Sequence, residues 1–482
     1  MAYDSMQVTK LRTFGRNSLQ PQSSFSQVMA QICVITMICV SITVPAFSLS
    51  QDLPYLKVEQ VLLPMILLIY VLMLLAGRAR LIRFNGMFVV GAVYSLCVLL
   101  STWYGADILH RSVIPRDFYE IPKAWLPVVF FTLAYEAELS ESSLLRLLNF
   151  FALAILFVCF YAWGQYGNLS IANALNPYYS AGEHVDRALQ YTSRVYSTMG
   201  NPNVLGQLMS WSIVAFAMAA LFRVGNRAWN AFVAFSCLVT LVMTASRYGL
   251  LTASCGIAMM LAFPSHSGRR RAALLGFLLL ALPIAAWTIK TVATANPYAT
   301  ERLQSLRNPV QTNSVRERLD SLWPEAISDF QRSPLLGHGP AKIYFSGIYW
   351  DTEYLLVLKR FGIIGFLGYI AYYIFPLFII WKGLQAGQRA GPHLEERLPA
   401  TFLALRVSFV MIVLALLMNM GESTFYHALL PGFLWMWIGI GARSARTLID
   451  ASGRLHSPAQ ALIFARAAGV PFPLARFSRH QS

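Results

Sequence analysis

The chain has 482 residues, 56% hydrophobic and 12% charged, with a formal net charge of +16. A soluble domain carries about 25% charged residues, so this composition excludes an ordinary soluble enzyme and points to a polytopic membrane protein. The positive charge sits mostly in short connections between apolar runs, the pattern that fixes orientation in a membrane rather than one that binds nucleic acid, and no nucleic-acid partner is expected.

Residues 1–28 are polar and include Lys10, Arg12 and Arg16. A signal peptide keeps its apolar core close behind its basic start. The segment therefore predicts a cytoplasmic tail before an uncleaved first span. Runs near the roughly 20 apolar residues that a bilayer requires then predict about twelve spans. They lie near 29–48, 58–77, 86–104, 122–137, 147–166, 203–222, 229–245, 248–264, 272–293, 360–381, 400–420 and 427–442. Spans one to nine fill 29–293, a large loop fills 294–360, the last spans fill 361–442, and 443–482 is a basic tail. Arg78, Arg80 and Arg83, then Arg223 and Arg227, then Arg269, Arg270 and Arg271, then Lys382, Arg389 and Arg397 mark alternate connections. Both termini are therefore predicted to be cytoplasmic. The predicted fold class is an all-α polytopic membrane protein with one large loop on the outer face.

The opposite face carries the long connections, Gly167 to Asn203 and Thr294 to Phe361. Connections of this length are usually functional. Within the larger, "SVRERLDSLWPEAISDF" places Leu319, Leu322, Trp323, Ala326, Ile327 and Phe330 at helical spacing. This predicts an amphipathic helix across the outer membrane surface. The cysteines, Cys33, Cys39, Cys97, Cys159, Cys237 and Cys255, all fall in apolar runs with no C-x-x-C spacing. Neither a disulfide framework nor a metal site is expected.

Charged residues gather at outer-face span ends. Arg194 lies in "YTSRVYSTMGNPNVLG", Arg247 in "TASRYG", Arg316 and Arg318 in "SVRERLD", Asp351 and Glu353 in "WDTEYLL", and Glu422 and His427 in "GESTFYHALL". An arginine at such a boundary either snorkels to the headgroups or clamps phosphate with its guanidinium fork. Arg247 favours the clamp, because it sits in a tight turn on the face where arginine is disfavoured. Asp351 either caps the helix that begins "EYLLVLKRFG" or acts as a general base. "NPNVLGQ" reads as a turn whose second asparagine caps the next span. "PLLGHGPAK" offers Gly337 and Gly339 for close backbone approach to a ligand, with His338 between them.

In their order, "R…NPNxxGQ", "TASR", "SVRER…W…A…PLLGHGP" and "DTEYLLVLKRFGIIG" resemble the O-antigen ligase and polymerase superfamily, from about Arg194 to Trp437. The resemblance implies a C-type glycosyltransferase-like inner-membrane enzyme with about twelve transmembrane helices and a large periplasmic loop containing amphipathic helices. It implies transfer of glycan from an undecaprenyl-diphosphate carrier to a sugar hydroxyl without metal or cofactor, with membrane lipids, a flippase and a chain-length regulator as further partners. Carried over residue by residue, Arg194 and Arg247 are catalytic, Arg316 or Arg318 contacts substrate, and Glu422 resembles an acidic site before the last span; Glu353 and His338, read from their positions alone, are further substrate-binding candidates. Where ligases of the family carry histidine followed by asparagine, this chain has Asp351-Thr352. That makes Asp351 the expected base and polymerase the expected branch, with ligase as the alternative. From a different class, an organic-anion transporter would line its path with the same arginines.

Overall fold

The computed structural model describes residues 25–45, 58–77, 85–179, 194–263, 316–342, 352–421 and 430–455, and among them the regular elements are helical. They are α1 (Phe25–Thr43), α2 (Val58–Leu75), α3 (Gly86–Asp107), α4 (Glu120–Glu136), α5 (Glu141–Tyr166), α6 (Ser170–Tyr179) and α7 (Pro202–Phe222). There follow α8 (Arg227–Met243), α9 (Arg247–Ala262), α10 (Trp323–Arg332), α11 (Glu353–Ala390), α12 (Pro392–Arg397), α13 (Pro399–Met418) and α14 (Pro431–Leu455). Each predicted span overlaps one of these helices except the ninth, near 272–293, which lies outside the described residues; α14 runs on to Leu455, past the predicted start of the tail at 443. Among the described residues, five helices, α3, α5, α7, α11 and α13, are long and apolar enough to cross a membrane.

Local chemistry starts these helices where the sequence changes character. Asn85, Ser140 and Asn226 stand before α3, α5 and α8 in extended conformation and accept the backbone N–H of Met87, Ser143 and Trp229 at 3.0, 3.2 and 3.1 Å. Each bond satisfies a donor that the first helical turn leaves open.

Helix α7 forms the centre, packed on α8, α9 and α13, while α14 packs on α4, α11 and α13. The core is aromatic. Phe151 stacks on Phe216 with ring centres 5.1 Å apart, and Trp211 lies parallel to Phe433 at 6.1 Å. On the outside of α5, Phe150, Leu153, Phe157 and Phe160 are exposed, whereas Phe151, Ile155 and Val158 are buried. An apolar stripe of that kind marks a surface that faces something other than water, and a lipid tail fits it.

Polar contacts concentrate at the two ends of the bundle. At one end Glu141 accepts from the Thr401 N–H and hydroxyl at 3.1 and 2.8 Å and so caps α13. There Arg406 also makes a bidentate pair with Glu395, both bonds 3.0 Å, and Arg443 pairs with Glu138. The other end holds the motif turns.

Helix α11 departs from expectation in two ways. It begins at Glu353, so residues assigned to the large loop are helical. Val357 and Phe361 are fully buried there, which is why the segment joins the bundle. It is also broken at Gly362, where φ is +63° and ψ −168°.

Candidate active site

The site is built from turns that precede helices. Pro202 occupies the first helical position of α7, where its missing N–H costs nothing. The cap therefore falls on Asn201, whose side chain accepts from the N–H groups of Asn203 and Val204 at 2.8 and 3.4 Å. This corrects the expectation that the second asparagine caps the helix. Asn203 instead takes Arg194, whose Nη2 donates to Asn203 Oδ1 at 2.8 Å while its Nε donates to the Thr244 carbonyl at 2.8 Å. The buried arginine thus ties the "NPN" turn to the "TASR" turn.

Thr244, Ala245 and Ser246 make the whole connection between α8 and α9. Ser246 caps α9 by accepting the Gly249 N–H at 3.2 Å, which puts Arg247, half-buried, at the first helical position. Helices α7 and α9 start side by side because of two glycines. A Cβ on Gly206 would lie 2.8 Å from Ser246 Cβ, and one on Gly249 would lie 3.1 Å from Gly206 Cα. Ser210 Oγ closes the contact by donating toward the carbonyls of Gly206 and Gly249, both at 2.7 Å.

The large loop reaches this place through one of its two candidate arginines. Arg318 Nη1 donates to the Tyr248 hydroxyl at 3.2 Å, with the guanidinium 5.6 Å from the ring centre, whereas Arg316 is exposed. Around Arg318 the helix takes a π-turn, Arg318–Leu322, and the Trp323 N–H reaches back to the Arg318 carbonyl. Pro324 supplies the reason, since it has no N–H for the α-helical ladder. Beyond the turn, α10 packs Leu322 and Ala326 against Leu355 and Leu356 of α11, while Leu319 and Ile327 remain exposed. The expected apolar face is thus split between the bundle and the outside.

The ring of Tyr248 also bears on Gly421, the residue before Glu422, where a Cβ would overlap it. At the start of α11 the cap position belongs to Thr352, which makes no side-chain cap bond. The Glu353 N–H and the Thr352 hydroxyl both donate to the Asn419 carbonyl, at 3.0 and 3.3 Å. Asn419 in turn donates to the hydroxyls of Tyr369 and Tyr373 at 2.6 and 3.3 Å. The Glu353 side chain is fully buried inside the bundle. Asp351, Glu422 and His427 lie outside the described residues.

The glycine-bearing loop fills the break in α11. The N–H groups of His338 and Gly339 donate to the carbonyls of Lys359 and Arg360 at 3.1 and 2.8 Å. In return the N–H of Ile363 donates to Pro334 at 2.8 Å. A Cβ on Gly337 would lie 2.6 Å from Gly362 N, so the space these glycines open is taken by the chain's own backbone rather than by a ligand. That overturns the expectation for Gly337 and Gly339. His338 is buried beside them, with Nε2 2.8 Å from the Asp329 carbonyl. Burial holds its imidazole below the ordinary range.

The Asp329 carboxylate pairs with the fully buried Lys359 ammonium at 3.0 Å and ties α10 to α11. Removing one partner of a buried pair strands the other and costs about 3–5 kcal/mol. Lys359→Met is therefore expected to lower the melting temperature sharply, and adding Asp329→Leu to restore most of it. Thermal scans in detergent check this, and an unaffected single variant would refute it.

Several of these residues were missed in the sequence. Asn203 and Gly206 stand inside a recognised motif, and Gly249 just after one. Asn419 is a polar residue ending an apolar run, and Tyr248 follows the key arginine. Each carried a signal in its position, but not the identity of its partner.

The fold and its convergent turns define an all-α membrane protein with an arginine-bearing site at one end of a helix bundle. Residues 232–370 match the family model described as O-antigen ligase. Over that segment the chain is similar to the O-antigen ligase and polymerase superfamily. The segment takes in Arg247, Arg316, Arg318, His338 and Glu353 and leaves Arg194 and Glu422 outside it. No curated protein matches the chain.

Proposed function

We propose that the protein is an inner-membrane polysaccharide polymerase. In this reading it has about twelve spans, both termini cytoplasmic, and a large periplasmic loop that ends where α11 begins at Glu353. It moves a glycan from an undecaprenyl-diphosphate-linked repeat unit to a sugar hydroxyl. The observation that carries it is the convergence of separated motifs. Arg194 joins the turns before α7 and α9, and Arg318 joins the large loop to Tyr248, next to Arg247. A set of fixed guanidinium groups at the mouth of a dry bundle suits a diphosphate leaving group.

In the transfer, Asp351 takes the proton from the acceptor hydroxyl, and the acceptor oxygen bonds to the anomeric carbon of the donor. The bond from that carbon to the phosphate oxygen breaks, and the lipid diphosphate leaves with the electron pair. Arg247 and Arg318 compensate the charge that develops there. A single displacement inverts the anomeric centre, and no step calls on a metal or cofactor. Glu353, His338 and Glu422 support the donor and acceptor positions, and a flippase and a chain-length regulator are the partners such a polymerase would use.

Asp351→Asn keeps the shape of the side chain and removes the base. Turnover is expected to fall by about 10²–10⁴ with the donor KM little changed. Wild-type turnover would leave Asp351 as a structural residue and move the search to Glu422.

Ligase-type transfer to lipid A–core or another acceptor is the second reading, favoured by the description of the matched family model. Purified protein given lipid-diphosphate-linked repeat units separates the two. A ladder of lengthening products supports polymerase. Transfer only when a separate acceptor is added supports ligase, and lipid that is moved without glycan transfer supports the anion transporter.

A further inference from the structure

Within the central helix, Gln207 carries a feature that the folded chain does not explain. Its side chain is 2% exposed, and its Nε2 has no hydrogen-bond partner among the described residues. Of the apolar window of α7, 89% is buried inside the bundle, so bulk solvent does not satisfy this amide. A buried donor left unmatched costs about 1–3 kcal/mol, and native structures leave few such groups without a reason.

The position of Gln207 says what the reason is. It follows Gly206, the residue at which α7 meets Ser246 and the start of α9. It also stands four residues after Asn203, hence on the same face of α7 one turn deeper. Asn203 Oδ1 is the acceptor that holds Arg194. The amide therefore lies at the level where the arginine-bearing turns converge, with a neutral donor ready for an acceptor oxygen. We propose that Gln207 is a substrate-binding residue whose Nε2 donates to a non-bridging oxygen of the lipid-linked diphosphate. This rests on the donor class given under the proposed function. Fixed positive charge above and a neutral donor below would hold the diphosphate at one depth. The anomeric carbon would then stay at the outer lip.

Trp211 supplies a control. Its indole N–H is also buried without a partner among the described residues, but its ring stacks on Phe433 in the aromatic core. The test measures binding of undecaprenyl diphosphate, with undecaprenol as the neutral comparison, together with melting temperature, for wild type, Gln207→Met, Gln207→Leu and Trp211→Phe. The Gln207 variants are expected to lose about tenfold or more in diphosphate affinity, as one lost hydrogen bond to a charged group implies. Their melting temperature without lipid should be unchanged or higher, because an unmatched donor has been removed. Trp211→Phe should bind as wild type.

Unchanged affinity in the Gln207 variants overturns the assignment, and so does a failure of both to fold, since the amide would then be structural. If wild type itself does not prefer undecaprenyl diphosphate over undecaprenol, the donor reading falls instead.

Discussion

Arg247→Ala is expected to reduce polymer formation at least about hundredfold, the usual loss when one fixed donor to developing charge is removed, while the chain remains folded and inserted. Folding should survive because other groups hold the turn. Ser246 caps α9, and Arg194 braces the Thr244 carbonyl. Alanine is also a good residue for a first helical turn. Arg247→Lys keeps the charge but loses the planar fork, so it should recover only part of the activity. Incubation with lipid-linked repeat units and sizing of the product is the measurement. Full-length polymer from the alanine variant would remove the diphosphate clamp from the mechanism.

A second large effect is expected at the break in α11. Gly362→Ala should prevent assembly of the protein rather than alter its chemistry. The backbone there has φ +63° and ψ −168°, a combination essentially reserved for glycine. An added Cβ would overlap the Leu335 carbonyl and come within 2.6 Å of Leu336 N. Backbone strain of about 1–3 kcal/mol and overpacking of about 1–3 kcal/mol act together, against a total stability of about 5–15 kcal/mol. Gly391 is the comparison. Its φ is +81°, but a Cβ would meet nothing within 4 Å, so Gly391→Ala bears only the backbone cost. Size-exclusion profiles and melting in detergent distinguish the two. A Gly362→Ala protein with wild-type yield and melting would show that the loop and the break can separate.

Much of the helix layout was legible because apolar runs of span length have few alternatives. The same holds for the three-residue link before Arg247, since nothing else fits between α8 and α9. The break in α11 was not legible. "KRFGIIGFLG" reads as an apolar run, and nothing in it tells which glycine takes a positive φ. That choice is made by the "PLLGHGP" backbone, whose N–H and C=O groups replace the missing helical partners. The role of Gly337 was misread for the same reason, as a glycine opens space without saying what enters it. Arg316 and Arg318 could not be separated by spacing alone. In the fold Arg318, at the start of the π-turn, meets Tyr248 and Arg316 is exposed.

The contact between α11 and α13 also bears on the order of events during synthesis. Residues Thr352 and Glu353 are held by the Asn419 carbonyl, and Tyr248 rests on Gly421. A nascent chain that has delivered the arginine turns and the large loop still lacks these supports. The site is completed only when the ribosome has passed residue 421 and α13 has entered the bundle. An unfinished or truncated chain is therefore left without the ordered start of α11, and the arginine-bearing turns stay unsupported until α13 is in place.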